Sequence, residues 1–335
     1  MSWRSHPVDR SSGHTETRRG EGLEGLEELS PTESSPFQNA MLEAMNRRSG
    51  MDAEAAASIL SEVTGKPFRH VSQLRGGETG AHQFLGPEGR PIVVKWDTTP
   101  DGRAFRGEAV VLSERLRSEA GWPVPAESVI DTAEVSFFIQ EFMPGTPPTA
   151  IGHGVIDRLL DLHSRRFGLA DPDDPVRWPE NLITTLAFGG KGYCRHDSFH
   201  GYDQRTQSLI GRIESFGRSL KAADFTGHDV VHWDLHPGNL LVDGSDLSAV
   251  VDTDFVIIGD AGFDLVMLAL TSLNVECEPG VRSRLFAEAF DHLDELRAQA
   301  YLGHLFVRLI DWPIRRNSPT EVDFWLAKAD ELLAI

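Results

Sequence analysis

The stretch HWDLHPGN at residues 232–239 constrains the fold and the chemistry of this chain more than any other segment. An apolar run follows it, so that an acid, an amide and a second acid occur in turn at Asp234, Asn239 and Asp252. Apolar residues at 230–231 and 240–242 flank the stretch and predict a loop held between two buried elements. Support on both sides keeps polar side chains in fixed positions, as a reactive site requires.

These three side chains together predict a site for phosphoryl transfer. Mg²⁺ prefers oxygen ligands, and proteins often hold it with one or two side chains while phosphate oxygens complete the shell. Asn239 and Asp252 supply such oxygens, and the spacing of Asp234 suits the orientation of an attacking hydroxyl. Each residue alone is more often a turn or capping residue, so the prediction depends on the joint spacing.

Composition limits the classes of protein to which the chain can belong. With 335 residues, 40% of them hydrophobic and 25% charged, it is typical of globular proteins with a sizeable core. The two cysteines, Cys194 and Cys277, are too few for a disulfide scaffold or a four-cysteine zinc site. No apolar run approaches the roughly 20 residues that cross a bilayer, and the N-terminus lacks the apolar segment of a secretory signal. We therefore expect a cytoplasmic protein.

The net charge of −19 bears on the partners of the protein. A surface this acidic repels nucleic acid and acidic membranes, so we expect neither as a partner. It favours a cationic small molecule, although acidity that serves only solubility is an equal alternative.

The order of the patterns along the chain predicts an α+β fold with two lobes. Residues 1–50 are poor in large apolar groups and are predicted to be a disordered tail. Residues 51–143 contain a short amphipathic helix at 53–63, then alternate between apolar runs and turns, with a longer helical stretch at 104–119. This order indicates an antiparallel sheet lobe with one large helix. Residues 144–335 are predicted to be a mainly helical lobe, with an irregular segment at 171–202 and helices at 281–300 and 302–310. The functional site is expected in the cleft between the lobes.

The motif region resembles the aminoglycoside phosphotransferase and choline kinase-like family, a branch of the protein-kinase-like fold. The family pattern is His-x-Asp-(x)₄-Asn, an apolar strand ending in Asp, then Gly-Asp and a further Asp before an apolar helix. The matching residues are His232, Asp234, Asn239, Asp252, Gly259-Asp260 and Asp264. The resemblance covers about residues 53–335 and is most specific over 230–265. It implies a bilobed protein-kinase-like fold.

The resemblance implies a role for each matching residue. Asp234 is the catalytic base that positions the acceptor hydroxyl and takes its proton. Asn239 and Asp252 bind Mg²⁺, and Asp264 holds the loop backbone from the helix that follows. Lys95 binds the nucleotide phosphates. The other implied nucleotide contacts are Glu108 on the first large helix as the partner of the lysine, Gly77 and Gly80 over the phosphates, and Glu141 and Met143 at the adenine.

The implied reaction transfers the γ-phosphate of ATP or GTP to a hydroxyl of a small molecule, without an obligate protein partner. Acidic residues of the helical lobe predict a cationic antibiotic or amino-sugar-like acceptor, and hence a role in antibiotic resistance. The candidate acceptor-binding residues are Asp254, Asp260, Glu276 and Asp311.

Three alternatives stay open. A kinase of an ordinary metabolite alcohol, such as a choline-, homoserine- or sugar-like compound, would share every motif. A nucleotide-binding regulator without catalysis is another, and a metal hydrolase that uses His232 and His236 is a third. The chain also departs from the family pattern, because Trp233 stands where relatives often have Gly and Asp254 adds a second acid after the metal strand.

Overall fold

The computed structural model describes residues 51–74, 80–174, 176–190, 192–225 and 227–335. The predicted tail at 1–50 and the predicted phosphate contact Gly77 lie outside the described residues. Within the described part of the chain, no helix combines the length and the apolar character that crossing a membrane requires.

Among the described residues, the N-terminal part consists of a five-stranded antiparallel sheet and two α-helices, and the strand order is β1-β2-β3-β5-β4. Its elements are α1 (Ala53–Thr64), β1 (Arg69–Gln73), β2 (His82–Leu85), β3 (Pro91–Asp97), α2 (Pro100–Ser118), β4 (Glu127–Asp131) and β5 (Ser136–Glu141). Because β3 lies in the centre of the sheet, Lys95 is on a fixed strand and pairs with Phe138 of β5.

Local signals explain where the first helix begins and ends. The Asp52 side chain accepts a hydrogen bond from Ala55 N at 2.7 Å and caps the N-terminus of α1. Gly65 ends the helix in the left-handed conformation at φ 65°, which glycine adopts without steric cost. The apolar face of α1 then packs with Phe84 and Val94 in a small core on one side of the sheet.

The remainder is mainly helical and confirms the predicted α+β class. Its helices are α3 (His153–Ser164), α4 (Trp178–Phe188), α5 (His196–His200), α6 (Gln204–Ser219), α7 (Gly262–Thr271), α8 (Val281–Asp291), α9 (Glu295–Arg315) and α10 (Pro319–Leu332). Its strands form three short pairs: β6 (Ala150–Ile151) with β11 (Glu276–Cys277), β7 (Asp229–Val231) with β10 (Ile257–Gly259), and β8 (Leu240–Asp243) with β9 (Asp246–Val250). The motif region therefore lies among short strands framed by helices.

Two predictions about this helical part are wrong. The segment 171–202 contains α4 and α5 and is not irregular throughout. Pro179 in the first turn of α4 and Gly189 after its last residue are the boundary signals that were available in the sequence. The single helix expected at 281–300 is two helices, because Asp294 caps a new one, and α9 then continues to Arg315.

An aromatic cluster joins α4, α7 and α9 beneath the motif region. The Trp178 ring meets Trp233 edge-on at 5.2 Å and Phe263 at 5.0 Å between centroids. Trp233 stacks on Phe263 at 5.1 Å, and His304 meets Trp233 edge-on at 5.1 Å. Aromatic pairs of this kind add about 0.5–1.5 kcal/mol each beyond the burial of their area. The loop at 232–239 is therefore anchored in the core through Trp233.

Two glycines of α6 provide a test of how closely α6 packs on α4. A Cβ atom on Gly217 would lie 2.6 Å from the backbone nitrogen of Ala187, whereas one on Gly211 would meet no atom within 4 Å. We expect Gly217→Ala to lower the free energy of unfolding by about 1–3 kcal/mol, since rigid backbone must move apart. Gly211→Ala should raise it by up to about 1 kcal/mol through helix propensity. Urea unfolding measures both, and a stable Gly217→Ala would contradict the close approach.

A buried histidine makes the stability of this core depend on pH. His304 is fully buried, and its ring nitrogens have no hydrogen-bond partner among the described residues. Burial, aided by the charge of Arg308, lowers the pKa of His304 from 6.5 to about 3. In the unfolded chain, the imidazole of His304 therefore binds a proton below pH 6.5, whereas in the folded protein it is protonated only below about pH 3. Over that window the imidazole removes about 1.4 kcal/mol of stability per pH unit as the pH falls.

The variant His304→Phe should remove this contribution. Urea titrations between pH 6.5 and 4.5 measure how steeply the free energy of unfolding depends on pH. We expect this slope to be smaller in the variant by about 1.4 kcal/mol per pH unit, which corresponds to one proton. At pH 7.5 the variant should be at least as stable as the parent, because an unpartnered polar ring has been replaced by an apolar one. An unchanged slope would show that His304 is not buried in its neutral form.

Candidate active site

A cleft of about 870 Å³ lies between the sheet and the helical part and brings most of the predicted site residues together. Its lining includes Lys95, Glu141, Met143, Asp234, Asn239 and Asp252. Gly80, predicted to lie over the phosphates, has a φ of 72° and precedes Ala81, which lines the cleft. The sheet thus contributes the lysine, and the helical part contributes the acids and the amide.

The loop at 232–239 is held by a buried carboxylate. Asp264, in the first turn of α7, accepts hydrogen bonds from His232 N at 2.7 Å and from Trp233 N at 2.9 Å, and it pairs with buried Arg166. This confirms the prediction that Asp264 holds the loop backbone from the helix that follows. The His232 ring accepts from Asp234 N at 3.3 Å and lies 3.1 Å from the Val251 carbonyl.

His232 serves this loop as a neutral imidazole. Burial lowers its pKa, although Asp264, Asp234 and Asp252 act in the opposite direction. Because Nδ1 accepts the Asp234 N–H, the ring proton belongs on Nε2, where it donates to the Val251 carbonyl. The ring therefore ties the loop to the segment that carries Asp252.

Asp234 lies at the edge of the cleft in contact with a residue that the sequence did not reveal. Arg308 of α9 donates to the carboxylate of Asp234 and, at 3.2 Å, to the carbonyl of Trp233. Burial opposes the charged carboxylate, but the charge of Arg308 and its hydrogen bond hold the pKa of Asp234 below its ordinary value. Asp234 is thus ionised and able to accept a hydrogen bond from a hydroxyl. No local spacing pointed to Arg308, which lies 74 residues further along the chain.

Asn239 and Asp252 present the oxygens expected of magnesium ligands. Asn239 donates its side-chain N–H to the Asp234 carbonyl at 2.9 Å, and this hydrogen bond does not use its amide oxygen. Asp252 adopts a left-handed backbone at φ 63°, and its carboxylate is 26% exposed in the cleft. Oxygen donors of this type, with room beside them for phosphate oxygens, fit Mg²⁺.

Lys95 does not have the partner that the resemblance implied. Its ammonium group is buried 2.8 Å from Asp252 and 2.9 Å from Asp254. Glu108 instead pairs with Arg177 at 3.1 Å, and its side chain is 52% exposed. The predicted pair of Lys95 and Glu108 is therefore wrong. Burial lowers the pKa of Lys95, but the two aspartates outweigh this and raise it above its ordinary value.

Three of the four candidate acceptor-binding residues are also misassigned, because internal partners hold them away from the cleft lining. Asp254 is buried between Lys95 and Arg106. Asp260 accepts hydrogen bonds from Tyr301 and Arg297, and Asp311 accepts from Ser198 and Arg315. Glu276 is exposed on β11, outside the described cleft lining, and its role stays a prediction.

The helical wall of the cleft consists of lining residues from α7, α9 and α10. These residues are Met267, Thr271, Arg308, Leu309, Trp312, Pro313, Arg315, Glu321 and Trp325. Tyr193, from the segment that precedes α5, lies beside this wall with its ring 5.1 Å below the Arg308 guanidinium. The wall is thus aromatic and apolar, with two arginines and one glutamate as its charged residues among those described.

Comparison with known proteins places this site in a family. The sequence model of the phosphotransferase enzyme family matches residues 70–306. No curated protein matches the chain in sequence. The residues matched by the family model include Lys95 and the whole motif region, whereas Arg308 lies beyond them.

Several solved structures share the fold. The aminoglycoside phosphotransferase APH(4)-Ia, in ternary complex with ADP and hygromycin B, is 16% identical, with a TM-score of 0.58 over 83% of this chain and 97% of that chain. The gentamicin complex of APH(2")-IIa is 15% identical, with a TM-score of 0.54 over 83% and 95% of the two chains. The AMP-bound spectinomycin phosphotransferase APH(9)-Ia is 13% identical, with the same TM-score and the same coverage of both chains.

At these identities the structures establish a shared fold, and it is the protein-kinase-like fold that the resemblance implied. The family model, which covers more than half of the chain, establishes membership. The chain belongs to the phosphotransferase enzyme family and is a kinase-type phosphotransferase.

Proposed function

We propose that this protein transfers the γ-phosphate of ATP or GTP to a hydroxyl of a small molecule, with Asp234 as the catalytic base. The observation that carries the proposal is the cleft in which Lys95, Asp234, Asn239 and Asp252 line one cavity, although they come from two different parts of the chain. A nucleotide-binding regulator would not require an ionised carboxylate at the position of Asp234. The nucleotide complexes of proteins with the same fold support ATP as the donor.

The chain's own residues would act mainly through position and charge. Phosphoryl transfer leaves little covalent chemistry to the protein, since the attacking and leaving oxygens need mainly alignment and charge stabilisation. Asp234 orients the acceptor hydroxyl and takes its proton, while Lys95 contacts the phosphates from the sheet. A magnesium ion bound by Asn239 and Asp252 would neutralise charge on the phosphates. The adenine would lie against Glu141 and Met143, where the chain leaves β5.

The acceptor has two candidate classes. Structures of the same fold contain hygromycin B and gentamicin, which supports a cationic antibiotic or amino-sugar-like acceptor and a role in resistance. The helical wall favours an uncharged or acidic member of the other class, the metabolite alcohols. Arg308 and Arg315 line this wall, where they pair with Asp234 and Asp311, and Glu321 is the only acid among the described residues of the wall itself.

Two of the aromatic rings at the wall, those of Tyr193 and Trp312, also disfavour a cationic acceptor. An ammonium group binds well over an aromatic face. Here, guanidinium groups already lie over both of these rings. Arg308 covers Tyr193, while Arg315 and Arg316 lie 4.9 and 4.4 Å from the Trp312 ring centroid. A cationic acceptor would have to displace these arginines or bind beside them. We therefore favour the uncharged or acidic alcohol on the geometry of this chain.

The variant Asp234→Asn tests the catalytic role. We expect kcat to fall by about 10²–10⁴-fold, the range that a positioned general base contributes, while the affinity for Mg·ATP changes little. A coupled ADP-release assay gives kcat, and calorimetry gives the affinity. Asp323→Asn, which removes an exposed carboxylate of α10, is the matched control and should behave like the parent. Phosphate transfer at the parental rate by folded Asp234→Asn would refute the assignment.

A panel of acceptor alcohols distinguishes the two acceptor classes. Its members share one carbon skeleton and carry an ammonium group, a carboxylate or no charge. We expect the uncharged and carboxylate members to exceed the ammonium member by at least about tenfold in kcat/KM, because juxtaposing like charges costs more than the 1.4 kcal/mol that tenfold represents. The panel also includes hygromycin B and gentamicin. Efficient phosphorylation of these antibiotics would favour the resistance role. Mg·ATP binding without transfer to any acceptor would favour the regulator.

A further inference from the structure

The face of α2 that packs toward Lys95 carries a cation in place of an acid. Arg106 is 2% exposed, and its guanidinium lies 5.2 Å from the ring centroid of Phe138 on β5. Glu108 lies two residues further along, which is about 200° around the helix, and it therefore points to the exposed side. At the contact with the lysine, α2 thus presents Arg106, whereas the acid that the resemblance implies, Glu108, points elsewhere.

Asp254 supplies the missing acid from a different element. One of its carboxylate oxygens lies 2.9 Å from Lys95 Nζ, and the other lies 2.6 Å from Arg106 Nη2. The side chains of all three residues are at most 4% exposed. Asp254 belongs to the short turn Thr253–Phe255, which directly follows the predicted magnesium ligand Asp252.

The charges explain why this carboxylate is indispensable to the arrangement. Lys95 and Arg106 repel each other across a buried space, and Asp254 lies between them with one oxygen on each. A buried charge without a partner is strongly unfavourable. Arg106 on α2 is therefore compatible with a buried Lys95 because Asp254 is present.

A second contact fixes the same turn to the sheet. Thr253 donates its hydroxyl to Glu127 of β4, and Glu127 also accepts from Gln140 of β5 at 2.6 Å. Gln140 lines the cleft beside the predicted adenine contacts. The turn is thus held by α2 on one side and by the sheet on the other, so its carboxylate has a fixed position.

We propose that Asp254 is a positioning residue that sets Lys95 for the nucleotide phosphates, with Arg106 as its anchor on α2. Asp254 thus serves as the acidic partner of Lys95, a role that the family resemblance gives to a glutamate of the helix. Because Asp252 lies two residues earlier, the contact also couples the position of α2 to that of the predicted magnesium ligand. The inference rests on the proposed role of Lys95 in nucleotide binding.

The variants Asp254→Asn and Glu108→Gln form a matched test. We expect Asp254→Asn to weaken Mg·ATP binding by about 10–100-fold, the usual effect of removing a residue that orients a functional group, and to raise KM for ATP more than it lowers kcat. Glu108→Gln, on the exposed side of α2, should leave the affinity unchanged. Calorimetry with Mg·ATP and thermal unfolding of each variant separate binding from folding. Unchanged affinity in folded Asp254→Asn would overturn the inference.

Moving the carboxylate from the turn to α2 should change the affinity for Mg·ATP in a way that a purely structural role of Asp254 would not. The double variant Arg106→Glu with Asp254→Asn returns the carboxylate to the helix and removes it from the turn. We expect this variant to bind Mg·ATP about tenfold more tightly than Asp254→Asn alone, with full recovery limited by the shorter glutamate side chain. Affinity no better than that of Asp254→Asn would count against a positioning role.

Two further measurements distinguish failure of this inference from misfolding of the variant and from failure of the proposed function. If Asp254→Asn does not fold, the variant Arg106→Met replaces it in the test. This variant keeps the ion pair between Asp254 and Lys95 but removes the contact of Asp254 with α2. Folded Arg106→Met should bind Mg·ATP about 3–10-fold more weakly, and parental affinity would overturn the inference. Failure of the unaltered protein to bind Mg·ATP would instead refute the proposed function itself.

Discussion

The buried carboxylate of Asp264 is the interaction on which the rest of the site depends. It accepts two backbone N–H groups of the motif loop and pairs with Arg166, which also donates to the Ala261 carbonyl at 3.1 Å. A loop this deeply buried has no water to satisfy its backbone, so each N–H requires a partner from the protein. Removing the carboxylate would leave those N–H groups without a partner and the guanidinium without its ion pair. The position of Asp234 is therefore determined by a residue 30 positions away that never reaches the cleft.

The same loop explains why a tryptophan can stand where relatives often have glycine. Trp233 adopts a φ of 71°, a left-handed conformation that costs a residue with a side chain of the order of 1–3 kcal/mol. Its ring is 1% exposed and packs among Trp178, Phe263 and His304. Burial of a large aromatic ring contributes enough to offset that strain. This departure from the family pattern thus has a structural reason in the core beneath the loop.

The sequence predicted the parts of the site that short-range spacing encodes, and it missed the parts that tertiary contacts create. The order of Asp234, Asn239 and Asp252 predicted one wall of the cleft, because a strand and a tight loop leave little freedom over that distance. Helix α4 was missed although its boundary residues were visible, since the prolines before it and the glycines after it made the whole segment read as irregular. Arg308 and the link from Asp254 to Arg106 join segments 74 and 148 residues apart. No local pattern encodes such pairs.

The ion pairs of the site limit how a nucleotide can be bound. Lys95 and Arg106 face Asp252 and Asp254, so two cations and two carboxylates balance within one buried cluster. The anionic phosphates of a nucleotide would therefore approach a cluster that has no surplus positive charge of its own. If Lys95 contacts the phosphates as proposed, it would turn toward them only as far as its two aspartates release it, and the charge of Asp252 would then face the same phosphates. A divalent cation beside Asp252 would resolve this conflict, because it would attract the carboxylate and the phosphate oxygens together. The internal charge balance thus provides a reason, independent of the motif, to expect that nucleotide and metal bind as a unit.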